Sequence, residues 1–530
     1  MRPSLTGPAV SLLRSSFLVA GGAAASRILG FVRDVLFAGT LGAGPVADAF
    51  LAAFRVPNLV RRIAGEGGLN PALIPALARL PPDEAAGVAG DVTVALGLGL
   101  LALTGIVELS AGLVALAVAP GFGVESGLAV GSGLAVASGL PDGNARDLVA
   151  LYTRLGFPSV IGIVLASVGA ALLNLRGRFA VATLAPLAVN GALIAALVTL
   201  RQSPGSLAWK AAWLAAASSL AGFVQLGLVA AALWWGPDRV IRFRRPRSSP
   251  ALRAVLLAGP PALAASGAVQ LFILTGTLVA SFWPSGIAWI YYAERVMQLP
   301  LGLVAALGST VLLPALVARD GRTGSVIAAQ NRAMEAALLL ALPAAVALAV
   351  LGGPIAAILF ERDAFGPGDA AGTGLTLAAL SLGLPFAAIG KVLSQTLFAQ
   401  GVLRGPMLAL LAGIAGTVAA APILGVWFGV PGIAAGVSLG CLVHAACLAA
   451  LLHAMGLWAP DRLLASRLGR IACASLGLAA GLRAGLFLSP EPRLAPFAAL
   501  CAGGLVLYAA LAFVLGAVTR QDLRRLGGRS

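Results

Sequence analysis

Apolar residues recur along this chain in blocks long enough to cross a bilayer, which takes about 20 residues of helix. Short stretches rich in Arg, Pro and Gly separate them. Candidate spans read 12–40, 46–79, 87–119, 148–174, 179–200 and 207–235, then 251–282, 286–317, 330–360, 370–400, 404–427, 430–455, 466–488 and 494–517. The pattern predicts an all-α, polytopic membrane protein of about fourteen transmembrane helices. A basic stretch at 236–250, GPDRVIRFRRPRSSP, divides the first six spans from the rest. The expected organisation is an N-terminal lobe over 1–235, a linker over 236–250, a C-terminal lobe over 251–455, and two further helices with a basic tail over 456–530. LIPAL at 73–77 matches LLPAL at 312–316, a faint sign of a repeat of the kind that builds many transporters around a central cavity.

Loop charge tests the number of spans, because short cytoplasmic loops hold an excess of Lys and Arg. With a cytoplasmic N-terminus, loops after even-numbered spans should be basic. They hold Arg79, Arg176, Arg178, the 239–247 cluster, Arg319, Arg322 and Arg462, and the tail adds Arg520, Arg524, Arg525 and Arg529. The other loops carry Glu125, Asp142, Glu361, Asp363, Asp369 and Glu491. This alternation places both termini in the cytoplasm. A span within the Gly-rich 120–146 segment would invert every later loop, so that segment reads as an external or interface-lying loop. Arg2, Arg14 and Ala23–Ala25 resemble a signal peptide, but the run continues into Arg27, Arg33 and Asp34 and reads as a retained first helix.

Composition sharpens the class. The chain has 530 residues, of which 59% are hydrophobic and only 11% charged, with a mean hydropathy of +0.97. A soluble domain carries about a quarter charged residues, so no sizeable soluble domain fits. The net charge of +16 would suggest nucleic acid in a soluble protein. Here much of it follows the loop rule, and no nucleic acid partner is expected. The four cysteines lie in apolar stretches and give no disulfide framework. Cys441, His444 and Cys447 share a helical face but lack a fourth ligand, so no metal site is expected. No Walker A loop, HExxH motif or water-facing carboxylate pair is present, and neither a cofactor nor a catalytic step is expected.

Ionisable residues inside the apolar blocks are the candidate chemistry. The first span, SRILGFVRD, holds Ser26, Arg27, Arg33 and Asp34, with Arg27 and Asp34 seven apart on one face. The second holds Asp48, Arg55, Arg62 and Glu66 at spacings of seven, seven and four, one polar stripe with Arg61 beside it. The eighth, IAWIYYAERVMQLP, holds Glu294, Arg295 and Gln298, and the tenth holds Lys391. Each Arg or Asp at a bilayer centre costs about 2.5–3.5 kcal/mol on the gentlest scale, so such residues pair or line water. Arg33 or Arg27 with Asp48 is one candidate pair. Arginines outnumber acids in these three spans, which predicts a cavity of net positive charge. Arginine's planar fork grips phosphate oxygens in bidentate fashion, so a diphosphate suits the cavity better than a cationic drug. Arg61, Arg62 and Glu66 near a helix end, and Lys391, are equally read as snorkelling side chains.

Three stretches carry a family resemblance: SRILGFVRDVLFAGTLGAGPVADAFLAAFRVPNLVRRIAGEGGLNPALIPAL (26–77), WIYYAERVMQLPLGLVAALGSTVLLPAL (289–316) and LFERDAFGPGDAAGTGLTLAALSLGLPFAAIGKVLSQTLFAQGVLRGP (359–406). They resemble the MurJ/MviN family of lipid II flippases. The resemblance implies two six-helix lobes plus two C-terminal helices, a fold shared with multidrug and polysaccharide exporters. It implies a substrate too: undecaprenyl-diphosphate carrying the peptidoglycan disaccharide-pentapeptide (lipid II), moved from the cytoplasmic to the outer leaflet of the bacterial inner membrane. By the same resemblance Ser26, Arg27, Arg33, Arg61 and Arg295 would bind the substrate. Asp34, Asp48, Glu66 and Glu294 would orient the arginines or take part in gating, with Arg55, Arg62, Lys391 and Gln298 as further candidates. The last two helices would hold the polyprenyl tail. Membrane lipids and the cell-wall synthesis machinery are the expected partners. This chain departs from the family pattern at Gln298, where an acid is common, at Ala288, where a hydroxyl is common, and at Leu69 and Asn70. A flippase for another lipid-linked glycan, a drug exporter of the same fold and a non-transporting cell-wall scaffold are the alternatives.

Overall fold

With no water in a bilayer core, a spanning segment must satisfy its own backbone hydrogen bonds, and the apolar blocks accordingly form helices. In the computed structural model the described residues are 8–62, 80–122, 145–235, 268–317, 323–400, 404–488 and 493–520, with a few single positions between them. The chain divides into two compact units, Met1–Ser266 and Gly267–Ser530. The 236–250 linker, Glu66 and most of the 120–146 segment lie outside the described residues.

The first unit contains α1 (Pro8–Leu41), α2 (Pro45–Ala53), α3 (Arg55–Arg62), α4 (Pro82–Leu109), α5 (Ala111–Val118), α6 (Ala145–Gly156), α7 (Ser159–Leu175), α8 (Phe179–Gln202) and α9 (Leu207–Trp234). The sequence reads 46–79 and 87–119 as continuous helices, but each is broken, while 148–174 is one span with a short turn inside it. The break at Phe54 precedes Pro57, whose ring clashes with the carbonyl four residues back and which has no N–H to donate. The turn between α6 and α7 sits at Phe157 and Pro158 for the same reason. α1 packs on α8, and α9 packs on α6, α7 and α8. Gly162 of α7 and Gly222 of α9 meet backbone to backbone. A Cβ at Gly162 would come within 2.4 Å of the Gly222 carbonyl, so only glycine permits this approach.

The second unit contains α10 (Ala268–Ala280), α11 (Gly286–Val317), α12 (Thr323–Phe360), α13 (Pro367–Ser381), α14 (Leu384–Ala399), α15 (Arg404–Ala454), α16 (Arg462–Leu488) and α17 (Leu494–Val514). Gly429, at φ +64, breaks α15 where the sequence separates 404–427 from 430–455. Every expected span thus contains a described helix. Among the described residues eight helices are long and apolar enough to cross a membrane, or nine with the bent pair α13–α14. Large apolar side chains such as Leu109, Leu113, Leu408, Trp427, Phe487 and Val514 stand exposed, a surface suited to lipid rather than water. The chain is a multi-pass membrane protein.

A polar clasp joins α12 to α16 within the second unit. Arg332 donates to both Asp461 carboxylate oxygens, at 2.8 and 2.7 Å, and pairs with Glu335. Glu335 also receives Arg467 from α16. Asn331 donates to the Ala459 carbonyl at 3.0 Å and accepts from Trp458 Nε1 at 2.9 Å. Burial opposes ionisation of Asp461, but the Leu464 N–H, the Arg332 guanidinium and the Asn331 side chain outweigh it and hold the carboxyl below its ordinary range. A carboxyl depressed in the folded state contributes stability that is full above its unfolded value, about 3.9, and is lost as pH falls through the lower folded value. Glu335→Ala leaves two partly buried arginines facing each other. It should cost on the order of 2 kcal/mol, read as a lower melting temperature in detergent at pH 7. An unchanged melting temperature would show that the Glu335 ion pairs add nothing to how α16 is held.

Candidate substrate-binding site

In the first unit the chemistry gathers on one stretch of α1. Asp34 is buried, at 2% exposure, and accepts from its own neighbour: Arg33 donates Nη2 at 2.7 Å and Nε at 3.0 Å to Asp34 Oδ1. Arg33 Nη1 donates to Asn190 Oδ1 on α8 at 3.0 Å, and Asn190 Nδ2 donates back to the Ser26 carbonyl at 3.2 Å. Arg33 is thus bracketed by a carboxylate and an amide, and the amide ties it to the helical turn that carries Ser26. Asp34 is one acid bonded to Arg33.

Arg27 is different. It stands exposed on α1, and among the described residues it makes no hydrogen bond or ion pair. A guanidinium inside an apolar block is costly unless it pairs or meets water.

Asp48 is buried on α2, at 1% exposure. Phe37 of α1 meets Phe50 of α2 at 5.2 Å, and Phe50 stacks on Phe54 at 4.4 Å, so an aromatic contact joins α2 to α1 just beyond Asp48. Arg55 and Arg61 are half-buried on α3, beyond the Phe54 break. The break interrupts the continuous stripe expected from the seven-residue spacing, because Asp48 and Arg55 no longer lie on one helix. Arg62 ends α3, and its side chain lies outside the described residues, as does Glu66.

In the second unit Arg295 is half-buried on α11. Its guanidinium carbon lies 4.7 Å from the centroid of the Tyr291 ring, and Nη2 donates to the Tyr291 hydroxyl at 3.2 Å. On the other side Nη1 donates to Gln298 Oε1 at 3.5 Å, and Gln298 Nε2 donates to the buried Glu294 at 2.6 Å. The carboxylate only accepts and the guanidinium only donates, so this arrangement sets the orientation of the Gln298 amide. Gln298 is a neutral link between Glu294 and Arg295. Lys391 stands exposed on α14, without a hydrogen bond or ion pair among the described residues.

Sequence reading missed Asn190 and Tyr291. Asn190 had a signal: a lone amide in an apolar helix is costly unless it has a partner. Tyr291 had one as well, an aromatic residue one turn before an arginine. Among the described residues no group of three or more His, Cys, Asp or Glu could hold a metal ion.

The fold and these buried charges define a class, the membrane transporters. An inward-facing multidrug resistance MATE family transporter of the MOP superfamily superposes with a TM-score of 0.62 at 17% identity, covering 84% of this chain and 95% of that one. A structure of "Lipid II flippase MurJ, inward closed conformation" superposes with a TM-score of 0.75 at 20% identity, over 94% and 98% of the two chains. At these identities the superpositions show a shared fold. Sequence narrows the class: residues 37–489 match the family model described as "Lipid II flippase MurJ", and the chain belongs to that family. It is 33% identical to a probable lipid II flippase MurJ of Rhizobium meliloti over 97% of this chain and 96% of that protein. A counterpart from Vibrio cholerae is 28% identical over 84% of each.

Proposed function

We propose that this chain is a carrier that moves lipid II from the inner to the outer leaflet of a bacterial cytoplasmic membrane by alternating access, with both termini in the cytoplasm. Family membership supports the substrate. The observation that carries the mechanism is the exposed, uncommitted Arg27 on an apolar helix, beside the Ser26–Asn190–Arg33–Asp34 network. A diphosphate crossing the hydrocarbon needs its charge neutralised throughout, and guanidinium groups do this in bidentate fashion without titrating.

In this reading Arg27 and Arg295 bind the diphosphate directly. Arg33, Arg61 and Ser26 complete the polar lining. Asp34, Asp48, Glu66 and Glu294 set the arginines' directions. Arg55, Arg62, Lys391 and Gln298 contribute at the margins. The polyprenyl tail stays in lipid. Membrane potential is a sufficient driver, since one charge moved across it exchanges about 2.3 kcal/mol per 100 mV. No chemical bond of the substrate changes, so the chain has no catalytic residue. The cell-wall synthesis machinery is the partner that would consume the flipped precursor.

Rescue of a bacterium depleted of its own lipid II flippase tests the function. Expression of this chain should restore growth and cell shape. Failure of correctly inserted protein would redirect the substrate to another lipid-linked glycan.

A further inference from the structure

We infer that Tyr291 is a positioning residue for the substrate: it sets the plane and direction of the Arg295 guanidinium. This rests on the reading that Arg295 meets the diphosphate.

A bidentate grip works only when the guanidinium plane faces the phosphate oxygens, and a long arginine side chain has many rotamers that do not. Arg295 has its rotamer restricted by Tyr291 in two ways. The ring sits beneath the guanidinium carbon at 4.7 Å, which fixes the plane through the quadrupole of the aromatic face. The hydroxyl accepts from Nη2 at 3.2 Å, which fixes the direction. Both contacts come from one residue a single helical turn away, so they persist wherever α11 moves.

The ring itself is held. Tyr291 meets the edge of Tyr292 at 5.5 Å. Tyr292 is fully buried and packs on Phe360 at 5.0 Å and on Phe365 at 5.2 Å. Phe365 belongs to the short turn after α12, closed by paired backbone bonds between Arg362 and Phe365 at 3.1 and 2.9 Å. A rigid aromatic wall therefore stands behind the ring that orients the arginine. The contrast with Arg33 is chemical. A carboxylate orients Arg33, whereas a neutral phenol helps orient Arg295.

The test is a double-mutant cycle on purified protein, with lipid II affinity as the readout and melting temperature as the control. Tyr291→Leu should weaken binding roughly tenfold. Tyr291→Phe, which keeps the ring, should weaken it less, with the melting temperature unchanged. The Tyr291→Leu/Arg295→Ala pair should bind no more weakly than Arg295→Ala alone, because Tyr291 acts through the arginine. Effects that multiply in the double variant, or wild-type affinity in Tyr291→Leu, would overturn the inference while leaving the substrate site standing. If Tyr291→Leu does not fold, Tyr291→Phe at wild-type affinity and Tyr291→Phe/Arg295→Ala weaker than Arg295→Ala would each overturn it as well. Wild-type affinity in Arg295→Ala would overturn this inference and the substrate-site reading together.

Discussion

Alanine at Arg27 or at Arg295 should leave a protein that inserts normally and cannot support growth in a flippase-depleted cell. Arg27 carries no structural contact among the described residues that its loss would break. A defect in Arg27→Ala therefore reports on the ligand and not on the fold. Removing one charge-assisted contact to a phosphate in a water-poor site costs about 1.5–3 kcal/mol, a ten- to hundredfold loss at the transport step. Lysine keeps the charge but loses the planar fork, so Arg27→Lys should recover part of the activity. A membrane scaffold of the same fold would work equally well with all three residues. Rescue of growth by Arg27→Ala and Arg295→Ala at matched membrane levels would therefore remove transport through this arginine set from the account.

Asp34→Ala should damage both stability and transport. Its carboxylate is almost fully buried and takes two bonds from Arg33, whose side chain is 24% exposed. Removing the acid takes away the carboxylate that receives two of the Arg33 N–H bonds. Breaking one side of a buried ion pair costs about 3–5 kcal/mol, and partial exposure of Arg33 places this case near the lower figure. Asp34→Asn should be milder in stability, because an amide oxygen still accepts from Arg33. It should remain defective in transport, because the charge that restrains Arg33 is gone. Thermal unfolding in detergent separates the variants. A melting temperature for Asp34→Ala equal to wild type would mean that Arg33 finds another acceptor at no cost.

The helices were legible because their cause is local. A bilayer admits only segments that satisfy their own backbone, so apolar length alone places α8, α9, α16 and α17 to within a few residues. The arginines were legible because charge in an apolar block is expensive enough to need a reason. The partners were not. Asn190 lies 157 residues from Arg33, and Asp461 lies 129 from Arg332, and helices apolar on every side carry no periodic face that would announce such pairings. The continuous stripe from Asp48 to Arg62 assumed one straight helix. Pro57 was in plain view, but spacing arithmetic takes no account of a break at Phe54.

Recognition of a lipid-linked diphosphate by guanidinium groups is the step on which transport by this chain depends. The most direct measurement is the affinity of purified protein in nanodiscs for lipid II and for undecaprenyl monophosphate, in wild type and in Arg27→Ala/Arg295→Ala. Wild type should prefer lipid II by roughly tenfold or more, and the double variant should lose most of that preference. Equal preference in the two proteins would contradict such recognition.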